Sequence, residues 1–317
     1  MNEATRPLCR NAVTVDVEDY FHASAFRKQI PFDTWDQRPC RVEGNTRRVL
    51  HLLAEFRLSA TFFILGWVAE RYPSLVREIV AAGHELGCHS YAHGLIYEMT
   101  PGEFRADTQR AVAAIGNAAG LTVEAYRAPS FSITNRSLWA LEIMAESGFK
   151  IDSSIFPVHT GLYGIRGAPR RPFEIRVNGR SVLEYPLPAV QRGLLNFPVT
   201  GGFYLRSLPE RLQVRWLRSM ARQAQPAVLY FHPWELDLEQ PRLAARFGSK
   251  FYHYIGLNRT ERRLRHLFQT FRFGKLSECG AAGAPLYQIG IVGASKGEPA
   301  MLAPIASGYR DQISKPD

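Results

Sequence analysis

The chain has 317 residues, 46% of them hydrophobic, and a formal net charge of +10 at pH 7. That length and apolar content suit one large domain with an appended tail and supply an ample core. No apolar run reaches the roughly 18 residues that cross a bilayer, residues 1–10 lack an apolar leader-like core, and no helix-turn-helix, finger or aromatic-basic pattern supports nucleic-acid binding. A cytoplasmic location is therefore expected. The positive charge is scattered among acids, as in Arg259-Thr260-Glu261-Arg262-Arg263, and reads as a solvated face. Cys9, Cys40, Cys88 and Cys279 lie far apart without a Cys-x-x-Cys, so they read as free thiols in a reducing compartment.

Residues 12–17 form a β-branched run that reads as a buried strand and ends in Asp16-Val17-Glu18-Asp19. Three carboxylates at a strand end repel one another unless a cation sits among them, although Asp also caps turns and helices. Residues 21–41 are irregular and aromatic, a loop over a site or a satellite cluster. Asn45 or Thr46 can cap a helix through Phe56, with Val49, Leu50, Leu52, Leu53 and Phe56 on its buried face. A strand follows over 60–65, then a helix opened by Pro73 and closed by Gly83, then a strand leading to His89-Ser90-Tyr91-Ala92-His93.

His89 and His93 stand four apart, and one helical turn would set both imidazoles on one face, a metal-ligand spacing. Alone, such a pair is as easily solvated or packed in a core. At the C-terminal end of a strand in a βα repeat, where ligands collect, it points to a metal. Two neutral imidazoles leave a divalent cation short of negative charge, so the early carboxylates are its expected complement. His84, on the preceding turn, reads as structural.

Thr100-Pro101-Gly102-Glu103 is a capping-box start for a helix to about Asn117. A strand over 125–129, a helix over 135–147 stopped by Gly148, and a strand over 149–154 continue the alternation, which argues for parallel βα units. Asn178-Gly179 between two alternating runs marks a β-hairpin over 173–184, expected as an insertion decorating a barrel. Pro209 opens a helix to about Gln223, and residues 227–232 form a late strand delivering His232. Asp16, His89, Arg127, Asp152 and His232 thus all fall at or just beyond expected strand ends, and an active site is expected there. Beyond residue 233 lies a basic, aromatic segment with a helix near 260–271 and no evident chemistry. After Lys275 the Gly/Ala/Pro-rich composition reads as a mobile tail.

Over residues 12–232 these motifs resemble the polysaccharide deacetylase family, also called carbohydrate esterase family 4 or the NodB-homology domain. Thr14-Val15-Asp16 resembles the start of its Thr-Phe-Asp-Asp, His89-Ser90-Tyr91-Ala92-His93 its His-[Ser/Thr]-x-x-His, Arg127-Ala128-Pro129 its Arg-x-Pro, and His232 its late acid histidine. The resemblance implies an α/β fold, a distorted (β/α) barrel here carrying the hairpin insertion. It implies one divalent metal ion, with Zn2+ expected, held by a carboxylate together with His89 and His93. It also implies Asp16 as base, kept ionised by Arg127, and His232 as general acid with Asp152 fixing its tautomer. An oxyanion would sit on the metal and a backbone N–H near Tyr20. The implied activity is removal of N-acetyl groups from N-acetylhexosamine units of a polysaccharide, with Tyr91, Phe131, Phe156 and Trp234 either stacking on sugars or packing in the core.

The chain departs from the family where Val17 replaces the second Asp, so the metal carboxylate is Glu18 or Asp19. Glu18 is preferred because residues two apart on a strand share a face, whereas a bulge at Val17 would favour Asp19. The continuations Ser130-Phe131-Ser132 and Asp152-Ser153-Ser154 also differ, which bears on substrate identity more than on the reaction. Residues 232–236 and 251–273 resemble a subgroup associated with exopolysaccharide gene clusters and the exosortase-A system. The expected organisation is a catalytic domain over 1–235, an extension packed on the barrel over 236–276, and the tail over 277–317. Competing readings are a cyclic amide or ureide hydrolase on the same barrel, which a closed pocket would favour, and an inactive carbohydrate-binding scaffold, which the full set of site residues disfavours.

Overall fold

The computed structural model describes residues 11–158, 160, 162–193, 195–281, 284–291 and 300–304. Its strands are β1 (Asn11–Val17), β2 (Thr61–Ile64), β3 (Glu85–Cys88), β4 (Ala125–Tyr126), β5 (Ile151–Asp152), β6 (Phe173–Val177), β7 (Arg180–Glu184), β8 (Ala189–Arg192), β9 (Leu195–Pro198), β10 (Val228–Phe231), β11 (Phe273–Gly274), β12 (Leu286–Ile291) and β13 (Ala300–Pro304). Its helices are α1 (Val42–Glu55), α2 (Gly66–Arg71), α3 (Pro73–Ala81), α4 (Pro101–Ala119), α5 (Ala140–Glu146), α6 (Gly202–Ser207), α7 (Glu210–Arg222), α8 (Phe247–Tyr254) and α9 (Thr260–Thr270).

β1 organises the sheet. Val13, Val15 and Val17 enter the larger apolar core, while Thr14 and Asp16, on the opposite face, meet Arg127. A strand buried on both faces needs parallel neighbours covered by helices, and β1 is paired in parallel with β10, β2 and, at its start, β11. The ladders run β10-β1-β2-β3-β4-β5-β7-β6-β12-β13, with β11 also pairing β1. Every ladder from β10 to β7 is parallel. This is the α/β fold expected, and no ladder among the described residues joins the two ends of the path.

Several elements differ from expectation for identifiable reasons. α1 starts at Val42, ahead of Asn45 and Thr46, because the Asp19 carboxylate accepts from the Arg41 and Val42 amides and caps the helix from a distance. α2 was not expected. Gly66 permits it, since a Cβ there would lie 2.6 Å from the Tyr91 ring and 2.7 Å from Ala111 Cα. α5 begins at Ala140, not Asn135, because Thr134 and Ser137 hold the preceding turns through side-chain hydrogen bonds. The capping box at Thr100 and Glu103 forms as expected. So does the hairpin turn, with Asn178 and Gly179 at φ of 48° and 75°. The hairpin is no decoration, however: β7 pairs β5 in parallel and sets Glu184 opposite Asp152.

The segment over 236–276 shares the main core, with Leu257, Leu264, Leu267, Phe268 and Phe273 in the same cluster as the β1 valines. α8 within it is a further helix that its sequence does not announce. β12 and β13 lie inside the stretch expected as a tail and extend the sheet through β6, which corrects that expectation for these residues. Residues 305–317 and Cys9 lie outside the described residues. Cys40 and Cys88 are free thiols. No helix among the described residues is long and apolar enough to cross a membrane.

Candidate active site

Glu18, one residue past β1, and His89, one past β3, leave the sheet at the same end. His89 and His93 do not share a helical turn. The loop between them takes left-handed backbone at Ser90 and His93, with φ of 66° and 55°, and folds the second imidazole back toward the first. The loop is pinned: the Gly66 and Trp67 amides of α2 donate to the Ser90 and Tyr91 carbonyls, Asp107 accepts from the Tyr91 amide at 2.9 Å, and the His93 amide donates to Ser90 Oγ at 3.0 Å. Glu18 Oε1 then lies 3.1 Å from His89 Nε2 and 2.9 Å from His93 Nε2, all three side chains buried.

This set fits a divalent cation. The donor atoms lie within 4.8 Å of one another. His89 Nδ1 donates to the Arg127 carbonyl at 2.8 Å, which leaves the Nε2 lone pair facing the cluster. Burial alone would raise the Glu18 pKa, but His93, His232 and His89 hold the carboxyl well below its usual range. A buried carboxylate beside two imidazoles is a donor set that suits zinc. Asp19, the alternative ligand, is engaged elsewhere: Oδ1 accepts from the Tyr20 amide at 2.8 Å and Oδ2 from the Arg41 and Val42 amides and Cys40 Sγ. The first of these contacts occupies the N–H of Tyr20 itself.

Asp16 sits beside this cluster. Arg127, fully buried, donates from Nη1 to Asp16 Oδ1 at 2.8 Å and to Thr14 Oγ1 at 2.7 Å, from Nε to the Ser153 carbonyl at 3.1 Å and from Nη2 to Ser153 Oγ at 2.9 Å. Its guanidinium lies 4.3 Å over the Phe63 ring. His232, just past β10, presents Nε2 at 3.9 Å from Asp16 Oδ2 and 3.7 Å from Glu18 Oε1. Burial opposes its protonation, yet Glu18, Glu235 and Asp16 together raise its pKa to about 9.

Asp152 does not orient His232. It accepts from Ser154 Oγ and faces Glu184, where burial raises its pKa to about 6 and raises that of Glu184 well above the carboxylate range, directions that favour one shared proton on the pair. The partner of His232 is Glu235, whose Oε1 lies 3.2 Å from His232 Nδ1. A sequence signal existed: Pro233–Leu236 is a one-turn 3₁₀ helix, in which side chains three apart eclipse.

The cluster forms the floor of a cavity of about 680 Å3 that reaches exposed Lys28, Leu162 and Arg246 at its mouth. Phe131 and Trp234 line it, while Tyr91 and Phe156 do not; Tyr97, Tyr163, Phe203, Tyr230 and Tyr252 complete its aromatic wall. Ser130 and Phe131, which follow Arg127-Ala128-Pro129, also take left-handed backbone at φ of 50° and 53°. Such conformations cost about 1–3 kcal/mol each and persist where surrounding structure enforces them, often at functional sites.

A family model described as polysaccharide deacetylase matches residues 26–150. The chain carries a polysaccharide deacetylase domain. A second model, a domain of unknown function (DUF3473), matches residues 153–281. His89, His93 and Arg127 of the candidate site fall in the first match and His232 and Glu235 in the second, while Asp16 and Glu18 precede both. The chain is similar to a bifunctional xylanase/deacetylase of Pseudobutyrivibrio xylanivorans, 35% identical over 103 residues, 32% of this chain and 17% of that protein. It is similar also to a peptidoglycan-N-acetylglucosamine deacetylase of Bacillus cereus, 32% identical over 98 residues, 31% of this chain and 36% of that one. It therefore spans well under half the length of either relative. A crystal structure of a Mycobacterium smegmatis protein, 19% identical, superposes with a TM-score of 0.57 over 88% of this chain and 91% of its own, a likeness of fold.

Proposed function

We propose that the protein is a metal-dependent hydrolase that removes N-acetyl groups from N-acetylhexosamine units of a polysaccharide. One observation carries this reading: Asp16, His232 and the Glu18–His89–His93 cluster converge within 4 Å contacts on the floor of one cavity. Glu18, His89 and His93 would hold the ion, with zinc expected. When bound, such an ion polarises a carbonyl and lowers the pKa of water from about 15.7 toward 7.

The protein's own groups do the remaining work. Asp16, fixed by Arg127, accepts the proton of the attacking water. His232 Nε2 gives a proton to the nitrogen of the breaking C–N bond, which a poor leaving amine requires, and Glu235 holds Nδ1–H so that Nε2 faces the reaction. Water thereby adds to the acetyl carbon, and acetate and the free amine leave. The cavity opens to solvent at Lys28, Leu162 and Arg246, which supports a polymer over a small cyclic amide. A bacterial exopolysaccharide is the substrate class we favour, on the subgroup resemblance of residues 232–236 and 251–273.

The test is metal analysis of the purified protein together with acetate release from N-acetylglucosamine oligomers. His89→Ala loses the metal, whereas Asp16→Asn keeps it and loses turnover. Undiminished acetate release in both variants would end the deacetylase reading.

A further inference from the structure

We propose that Arg206 and α8 are positioning elements for the acid, so that the segment beyond residue 235 is required to protonate the leaving group. The inference rests on His232 serving as that acid.

Glu235 Oε1, which holds His232 Nδ1, also accepts from Arg206 Nε at 3.2 Å, and Glu235 and Arg206 are 0% and 1% exposed. The other donors of Arg206 reach the C-terminal end of α8. Nη1 donates to the His253 and Ile255 carbonyls at 2.7 Å each, and Nη2 to the Tyr252 carbonyl at 3.2 Å. A cation suits the unsatisfied carbonyls of a helix C-terminus. A second tether runs through rings: His232 stacks on Trp234 at 5.2 Å and 21°, and Trp234 on His253 at 4.1 Å and 10°. His253 is itself fixed by Gln240 Oε1, 2.7 Å from Nε2. One ionic path and one stacking path thus join the acid to α8.

Burying an ion pair is a poor route to stability, because an apolar pair of equal volume does as well or better. A fully buried Arg–Glu pair ending on the acid's Nδ1 is instead explained by orientation. Without Arg206 the Glu235 carboxylate would be a buried anion with one partner and freedom to turn, and the imidazole would lose its fixed axis.

The experiment compares two substrates on full-length protein. N-acetylglucosamine oligomers expel an amine that needs a proton, whereas 4-nitrophenyl acetate expels a phenolate that does not. Arg206→Lys keeps the charge but cannot bridge Glu235 and the three carbonyls. Glu235→Gln with Arg206→Met removes both charges at similar volume and guards against misfolding. Each is expected to lower the ratio of amide to ester turnover about 10–100-fold, the usual effect of losing an orienting partner, with the metal content of wild type. A ratio equal to wild type in variants with full metal overturns the inference alone. Wild type that cleaves the ester but no N-acetylglucosamine oligomer overturns the deacetylase reading, and this inference with it.

Discussion

Replacing Arg127 with methionine isolates what Asp16 owes to its partner. The side chains are of similar length, so packing over Phe63 survives while four hydrogen bonds vanish. Two of the abandoned acceptors keep other bonds, because the Thr14 hydroxyl still donates to the Leu229 carbonyl at 3.1 Å and the Ser153 hydroxyl to the Tyr185 carbonyl at 2.8 Å. The loss therefore falls on the Ser153 carbonyl and above all on Asp16, a carboxylate 3% exposed. Removing one member of a buried pair costs about 3–5 kcal/mol. His232 at 3.9 Å compensates in part, which places the expected loss at the lower end, roughly 3 kcal/mol. With an unfolding entropy of about 2.1 cal/mol/K per residue, that lowers Tm by roughly 5 °C in a fold of this size. Calorimetry on Arg127→Met and on Asp16→Asn with Arg127→Met decides the matter. The double variant carries no unpaired charge and should regain at least half of the lost stability while staying inactive. A double variant as unstable as the single one would refute the assignment of the cost to Asp16.

Three further outcomes follow from the same geometry. A chelator should lower Tm by roughly 7 °C where the ion is present at a thousand times its dissociation constant, and Glu18→Gln should make Tm indifferent to the chelator; an equal drop in the variant would place the ion elsewhere. Burial pushes the pKa of His22 down from 6.5 to about 3, and its Nδ1 accepts from the Asp19 amide. The unfolded chain therefore takes up the proton first, and stability that is complete above pH 6.5 is lost toward pH 3, at about 1.4 kcal/mol per pH unit. In chelated protein, His22→Asn should flatten the Tm profile over that window, and parallel profiles would contradict the burial argument. Glu184 and Asp152 have raised pKa values in the fold, so their contribution is present at low pH and lost as pH rises through the folded values. Glu184→Gln can donate to Asp152 and still accept from the Ile155 amide, and should be more stable than wild type at alkaline pH by denaturant titration. Lower stability there would rule out the shared proton.

What could be read from the sequence was what lies close along the chain. The strand order through β5, the capping box at Thr100 and the left-handed Asn178-Gly179 turn are local decisions, and residue type sets them. The site residues at strand ends could be found because parallel βα units place every such end on one side. What could not be read depended on partners distant in sequence. Asp19 resembles a ligand until α1 claims its carboxylate. Asp152 resembles an orienting partner until β7 brings Glu184 against it. Arg206 and α8 carry no local signal, because their role exists only once α8 packs beneath Trp234. Even the two histidines, correctly paired, meet through a strained loop and not through the helical period that first suggested them.

The pairing of β1 with β10 carries the deepest consequence. Val15 lies opposite Phe231, so Asp16, still within β1, and His232, just past β10, stand side by side. The proposed base and acid are neighbours because an early strand and a late one are hydrogen-bonded in that register, and Glu18 follows from the same early strand. Neither matched stretch, 26–150 or 153–281, includes β1, so neither holds Asp16 or Glu18. The two matched stretches are parts of one sheet, and two carboxylates of the candidate site stand on or just past a strand outside both. Expressed separately or mixed, fragments with those bounds should bind no divalent ion at the affinity of the full chain, and restoring residues 11–25 to the first should restore the carboxylate ligand but not the acid. Tight metal binding by the 26–150 fragment alone would show that Glu18 is dispensable and that the centre is built otherwise.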